Sequence, residues 1–488
     1  MDGTLNQPVT SVVDTAILLA SSGVFTIGEN QKAAAPGALT RIGGLTLFQR
    51  AVLTLQRAGI SQIWILAGEE EAQLRAMVHA DHRVQAALRW LPTREFPPTH
   101  SQTWEILAAE VKGSCLIVGC HTVFSSSLIQ SLRMDGGDGR VLVVVGQVGE
   151  ENYAGNPEVA FSESNQSGAL GSIVVFHDHK DSKLEHPASS INPLPVAADL
   201  VVLPSRLLGV SGVLKSHETN PIRLALEQAA IEGIIQPVSS SPTQFRDIRG
   251  PNGPRLAERS LLQSLQTLKG GLDGLFDRYI NRKLSGALTR LFLKLGVSPN
   301  TITLISMLTG LAAAGCLATG MYEWGIIGGL LFQLAVIMDC CDGEVARLTF
   351  SESRFGKEFD ILADNVVHIA IFVGIASGAY LHGPWQGTVF PLILGVMTVV
   401  ANGCSLWLVN RTLHLRSLPQ EWRRLTKAEQ AKMEFILRNV ANRDFSIFIL
   451  LAACFDVLGW FLWIAAMGIW FFVVIMGWGL RRVILSRA

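Results

Sequence analysis

The stretch from Asp339 to Asp364, DCCDGEVARLTFSESRFGKEFDILAD, follows one apolar run, Gly325 to Met338, and leads into another, Ile361 to Tyr380. Four aspartates therefore fall where a membrane helix ordinarily carries none. Asp339 and Asp342 are three residues apart and Asp360 and Asp364 four apart, and on helices either spacing stacks the two side chains on one face. Two such faces turned toward each other predict a four-carboxylate cluster. Ionised carboxylates about 4 Å apart repel by roughly 4 kcal/mol at an effective dielectric of 20, so such a cluster needs strong compensation. Two divalent cations would balance it. Hard oxygen ligands favour Mg²⁺ or Mn²⁺, and two carboxylate-bridged ions suit phosphoryl chemistry. A helix end whose acids simply touch water accounts for any one aspartate. It does not account for all four together with Gly343, Gly356 and Arg347.

The rest of the chain sets this stretch in context. A length of 488 residues suggests two or three domains, and 40 basic against 40 acidic residues leave no net charge to attract nucleic acid. The mean hydropathy of +0.34 comes from uneven halves, because nearly all the long apolar runs lie C-terminal to about residue 260. Thr15 to Ala20 follows Asp14 with no basic segment before it. It reads as a strand and not a signal peptide, which places the N-terminus in the cytosol. The seven cysteines show no CxxC or zinc spacing and read as reduced packing residues. Cys340 and Cys341 are small helix fillers, since thiolates suit Mg²⁺ poorly.

Short apolar runs (Thr15 to Ala20, Gln62 to Ala67, Ser114 to Gly119, Arg140 to Gly146, Ser172 to Phe176, Asp199 to Leu203) alternate with amphipathic stretches such as Leu45 to Ala58 and Glu70 to His79. That alternation predicts an N-terminal α/β, Rossmann-like domain over residues 1–265 with a mostly parallel sheet. Arg255 to Leu268 has a helical period and leads to KGGLDG, a joint with three glycines. Residues 266–297 form the linker and a juxtamembrane amphipathic helix, Phe276 to Leu295. Its Arg278, Arg282, Lys283, Arg290 and Lys294 face lipid phosphates, unless it packs as an ordinary amphipathic helix against the first domain.

Ser298-Pro299 reads as an N-cap followed by proline at the first helical position. Apolar runs at 300–320, 322–340, 358–381, 388–410, 444–458 and 460–480 then predict an all-α membrane domain of six transmembrane helices over residues 298–488. The fifth run is short and is expected to begin earlier, near Asn439. Basic residues crowd the segment before the first helix, the Arg411 to Arg443 connection and the C-terminus, and the Thr319 to Trp324 turn has none. The positive-inside rule then puts both termini and the aspartates on the cytosolic side of the inner, cytoplasmic membrane. Trp324, Trp385 and Trp460 fall at the outer ends.

The pattern Asp339-x2-Asp342-Gly343-x2-Ala346-Arg347-x8-Gly356-x3-Asp360-x3-Asp364 resembles, without departure, the signature of the CDP-alcohol phosphotransferases. These membrane enzymes move a substituted phosphate from a CDP-alcohol donor to an acceptor hydroxyl and release CMP. The resemblance implies that Asp339, Asp342, Asp360 and Asp364 hold two Mg²⁺ or Mn²⁺ ions. Asp364 is then also the general base, with Asp360 beside it in the catalytic pair. CDP is bound by Asp342, Gly343, Ala346, Arg347 and Gly356, joined by Asn300 and Thr303 of PNTIT. GLLFQL and FSESRFG resemble the inositol-phosphodiester branch, whose acceptor is a phosphorylated inositol, so a polyol or polyol phosphate is the expected acceptor. Arginines would hold its phosphate. Arg443 is the first candidate and Arg411 the second, and each also reads as a positive-inside anchor. A homodimer in the lipid bilayer is the family's usual state.

LLASSG, GGLTLFQRAVLTLQRAGI, IVGCHTVF and FRDIRGP resemble the sugar-phosphate nucleotidyltransferases, in particular the cytidylyltransferase domain fused to some of these phosphotransferases. The chain departs where that chemistry would sit. SSGVFTIGEN has no Arg or Lys, the family's lysine falls on Gly37, its metal-binding aspartate on Cys120, and a second acid on Arg249, although Asp247 remains. These losses remove most of the charge stabilisation such a transfer needs, and the N-terminal domain is expected to be inactive. Retained nucleotide binding, or a catalytic thiol at Cys120, are alternatives. For the whole chain the alternatives are a bifunctional enzyme that also makes its own CDP-polyol, and a non-catalytic membrane scaffold.

Overall fold

The computed structural model describes residues 12–20, 37–97, 100–146, 159–161, 173–175, 194–209, 221–248, 252–269, 281–382, 385–416 and 445–485. They divide into two compact units, Met1–Ser264 and Leu265–Ala488.

The first unit runs β1 (Thr15–Leu19), β2 (Arg41–Ile42), β3 (Leu45–Thr46), α1 (Leu47–Arg57), β4 (Gln62–Ala67), α2 (Glu71–His79), β5 (Ala87–Pro92), α3 (Ser101–Glu110), β6 (Ser114–Gly119), β7 (Thr122–Phe124) and α4 (Ser126–Asp135). It continues through β8 (Val141–Gly146), β9 (Val159–Phe161), β10 (Ile173–Val175), β11 (Leu194–Pro204), α5 (Ser205–Leu208), α6 (Pro221–Ile231), β12 (Ile235–Ser240), β13 (Phe245–Asp247) and α7 (Gly253–Lys269). Strands β5, β4, β1 and β6 pair in parallel. The sheet is mostly parallel, as expected, with β11 as a reversed strand inside it. β11 enters antiparallel to both β6 and β8, and only β12 restores a parallel pair, on β8. Apolar periodicity marks where strands are and says nothing of their direction, which here is set by the return of the chain through β9 and β10.

The alternation of side chains along each strand builds a core on both faces of the sheet. Ala16, Leu18, Ile63 and Ile65 pack with Phe48, Val52 and Leu55 of α1 and with Leu128 and Leu132 of α4. Ile17, Leu19, Trp64 and Leu66 pack on the other face with Trp104 and Leu107 of α3 and Ala225 of α6. Each fully buried large side chain stabilises by about 1.5–3 kcal/mol. Thr46 and Gln49 close a capping box that starts α1. From α1 the buried Arg50 guanidinium donates to the carbonyls of Ile42 and Gly43 at 2.9 and 3.0 Å. Gly43 itself takes φ +57°, where a Cβ would lie 2.8 Å from that guanidinium.

The second unit is helical: α8 (Arg282–Leu295), α9 (Pro299–Ala318), α10 (Tyr322–Leu348), α11 (Arg354–Leu381), α12 (Phe390–Arg416), α13 (Phe445–Cys454) and α14 (Leu458–Leu485). Among the described residues five helices are long and apolar enough to cross a membrane: α9, α10, α11, the Phe390–Trp407 part of α12, and the Leu458–Ile475 part of α14. α13 has 10 residues, and the positions before it, including Asn439, lie outside the described residues. So do residues 270–274 of KGGLDG and the first residues of the expected amphipathic helix.

Helices α9 and α11 run in the same direction, with α10 antiparallel to both. Small residues let the backbones approach. A Cβ on Gly374 would lie 2.5 Å from the Ala314 carbonyl oxygen, and one on Gly378 would lie 2.3 Å from that of Leu317. Trp385 and Trp460 meet at 4.9 Å between ring centroids, and Trp324 begins α10 at the end opposite its aspartates.

Candidate metal centre and active site

Two helix ends are shaped so that acids from separate helices meet. Ser298 caps α9 by accepting from the Thr301 amide at 3.2 Å, and Pro299 opens the helix, so Asn300 and Thr303 sit in its first turn. α10 stops at Leu348, and Phe350 reverses the chain with φ 54°. Ser353 then starts α11 by accepting from the Gly356 amide at 2.9 Å. The tight reversal places Asp360 opposite the last turns of α10.

Carboxylate oxygens of Asp339, Asp342 and Asp360 all lie within 4.8 Å of one another. Asp339 and Asp342 are 7% and 6% exposed. The Thr303 hydroxyl donates to the Asp342 carboxylate, which ties α9 to the cluster. The Ser306 hydroxyl donates to the Ala335 carbonyl at 3.1 Å one turn further along.

Asp364 is not among the three residues whose carboxylate oxygens lie within that distance of one another. Four residues advance a helix by about 6 Å. Asp364 is thereby carried along α11 away from Asp342 and level with Asp339, which lies one turn back on the antiparallel α10. Asp364 and Asp339 line one cavity, with an empty volume of about 440 Å³ including its open mouth. Its walls include Ser306, Met307, Phe332, Val367, His368 and Phe445.

The other motif residues are gathered around the trio. Gly356 faces Asn300, whose Oδ1 would be 3.0 Å from an added Cβ. Gly343 lies under the Arg347 side chain, whose Nη1 would be 3.1 Å from a Cβ there. Ala346, one turn beyond Asp342, shares the aspartate face of α10. Arg443 lies outside the described residues, and Arg411 is placed on α12 by its backbone alone.

Two buried carboxylates and one half-buried one, with no sulfur among them, fit a hard divalent cation. Cys341 points away from the cluster, its Sγ donating to the Ile337 carbonyl at 3.3 Å.

Sequence reasoning passed over His368 and Glu344. His368 follows Asp364 by one helical turn, and its ring stands edge-on to Phe445 at 5.1 Å. The Asp360, Asp364, His368 spacing was the signal for it. Glu344 is an acid inside the motif, on the side of α10 away from the aspartates.

In the first unit Cys120 ends β6 as part of the apolar core, 4% exposed. Burial, with a smaller push from Glu70, drives its thiol well above the ordinary range, so it offers no thiolate at neutral pH. The stretch SSGVFTIGEN and Arg249 lie outside the described residues.

The C-terminal unit thus combines apolar helices of membrane-spanning length with a cluster of acids able to hold a metal ion. The C-terminal unit is a CDP-alcohol phosphatidyltransferase domain: residues 296–475 match that family's model. A bifunctional IPC transferase and DIPP synthase of Rubrobacter xylanophilus is 27% identical over 357 residues, 70% of this chain and 73% of the relative. The protein of the same name from Aquifex aeolicus is 22% identical over 395 residues, 80% of this chain and 83% of its own. The inositol-1-phosphate CTP transferase of T. maritima superposes on 51% of this chain and 96% of its own, at 14% identity and a TM-score of 0.36.

Proposed function

We propose that the chain transfers a substituted phosphate from a CDP-alcohol to a hydroxyl of a polyol or polyol phosphate, releasing CMP. The observation that carries this reading is the meeting of Asp339, Asp342 and Asp360 within 4.8 Å inside the unit that matches the family. A divalent cation there, Mg²⁺ or Mn²⁺ and by the charge argument two of them, supplies neutralisation of the donor's diphosphate and a better leaving group in CMP. Asp339, Asp342 and Asp360 hold it. Thr303 orients the Asp342 carboxylate. Asn300, Gly343, Ala346 and Gly356 form the wall that admits the cytidine, and Arg347 steadies a phosphate. Asp364, in the cavity but outside the carboxylate trio, takes the proton from the acceptor hydroxyl. Arg443 and Arg411 are the acceptor-phosphate candidates.

In this reading residues 1–265 are a cytidylyltransferase-like domain without activity and residues 266–297 a linker with a juxtamembrane helix. Residues 298–488 span the bilayer six times. Both termini are cytosolic and the enzyme is a homodimer. The test separates Asp364 from the trio. Asp364→Asn should lower the rate of CMP release by about 10²- to 10⁴-fold while Mn²⁺ binding persists. Loss of Mn²⁺ binding in that variant would make Asp364 a ligand and remove it as the base.

A second reading, a bifunctional enzyme that also makes its CDP-polyol, is favoured by relatives of that printed name whose similarity extends over 70% and 80% of this chain. The buried, apolar setting of Cys120 weighs against it. Full-length protein given CTP and inositol phosphate should release no pyrophosphate above background, and release would make the second reading the right one.

A further inference from the structure

Glu344 is 1% exposed and lies two residues past Asp342, yet the chemistry above gives it no part. At about 100° per residue, Asp339, Asp342 and Ala346 share one face of α10, and Ile337, Cys341, Glu344 and Val345 share the opposite one. That opposite face packs on α8. The Ser285 hydroxyl donates to Glu344 Oε1 at 3.1 Å and the Thr289 hydroxyl to Oε2 at 2.7 Å. Both hydroxyl residues are fully buried, and their four-residue spacing stacks them on one side of α8. Around them Cys341 and Val345 pack with Ile302, Leu288, Phe292, Leu293 and Val297.

A buried carboxylate is poor glue, because its desolvation consumes most of what its partners return, and an apolar side chain would hold two helices as well. What it adds is direction. Two bonds to one neighbouring helix fix the rotation of α10 about its own axis. A turn of about 20° would carry a side-chain oxygen at a radius of roughly 6 Å through about 2 Å. Metal–ligand distances tolerate only about 0.2 Å.

We propose that Glu344 is a positioning residue for the metal centre: held by Ser285 and Thr289, it sets the rotation of the last turns of α10 and so the reach of Asp339 and Asp342 toward Asp360. This rests on the metal-binding reading of the aspartates. Helix α10 is thereby gripped on opposite faces, by Thr303 on Asp342 from α9 and by the α8 hydroxyls on Glu344.

The test uses purified full-length protein and Mn²⁺ binding followed by the electron paramagnetic resonance of the free ion. Glu344→Leu, and separately the Ser285→Ala/Thr289→Val pair, should weaken Mn²⁺ binding roughly 10- to 100-fold. The half-saturating Mg²⁺ for CMP release should rise by the same factor. The KM for the CDP donor at saturating metal should stay within about two-fold, because loosened ligands can still be filled by mass action. Glu344→Gln, which keeps one acceptor oxygen, should restore most of the affinity, and combining Glu344→Leu with the pair should add little. Unchanged Mn²⁺ affinity in Glu344→Leu, with only thermal stability lowered, would overturn the proposal. Should Glu344→Leu not fold, Ser285→Ala alone decides on the same readout. If the unmodified protein binds no Mn²⁺, the metal reading of the aspartates falls and this proposal with it. Equal binding by unmodified and variant proteins removes only the proposal.

Discussion

The two units treat polar groups in the core in opposite ways. At the end of β6 the first unit buries Cys120 among apolar side chains, with Glu70 as a neighbouring acid. At the end of α10 the second unit buries Asp339, Asp342 and Glu344 within six residues of one another and supplies a hydroxyl from α9 and two from α8 to hold them. Apolar packing on both faces of the sheet is enough to sustain the first unit. Acids buried in a membrane helix have no such independent reason to stay, and their presence is the stronger sign of work being done there.

Asp342→Asn would sharpen this contrast most. It removes one negative charge and breaks the trio, and the rate of CMP release should fall by about 10³-fold or more with loss of Mn²⁺ binding. A fall below ten-fold would mean that the buried acids do not carry the reaction. Gly378→Leu comes next. Its side chain would have to enter space 2.3 Å from the Leu317 carbonyl oxygen, so thermal denaturation in detergent should show a loss of about 3 kcal/mol or more.

The smallest effect is expected in the soluble unit. Asp81 is 8% exposed and takes bonds from Arg83 Nε at 2.7 Å and Nη2 at 2.6 Å. These hold its carboxyl below the ordinary 3.8 despite burial. A lowered folded-state value means that the stabilisation is present above pH 3.8 and is lost as pH falls through that lowered value. Arg83→Ala should cost about 1–3 kcal/mol at pH 7 and flatten the acid limb of the melting profile. An unchanged acid limb would show that this pair contributes nothing to folding.

What could be read from the sequence was what depends on local spacing. The aspartate pairs follow from helical spacing, the start of α9 from the Ser298-Pro299 cap, and the strands β1, β4, β6 and β8 from short apolar runs. What could not be read depends on neighbours. The direction of β11 is fixed by its pairing with β6 and β8, and its own residues carry no mark of it. The separation of Asp364 from the trio follows from α11 lying antiparallel to α10, which sets Asp364 beside Asp339 and one turn from Asp342. Glu344 gave no signal because its role depends on which helix lies behind α10, and its partners Ser285 and Thr289 stand 59 and 55 residues before it in the chain. Helix α3, whose His100 start has no side-chain cap, carries too weak a pattern to stand out.

The glycine contacts between α9 and α11 have a mechanical result. The two backbones touch at Gly374 and Gly378, and a cavity lies beside Asp364. The same closeness continues toward the acids, where a Cβ on Gly310 would lie 2.5 Å from Val367 and one on Gly356 would lie 3.0 Å from Asn300. The two helices thus form a stiff post along one side of the cavity, and added bulk at Gly374 would push against the whole length of it.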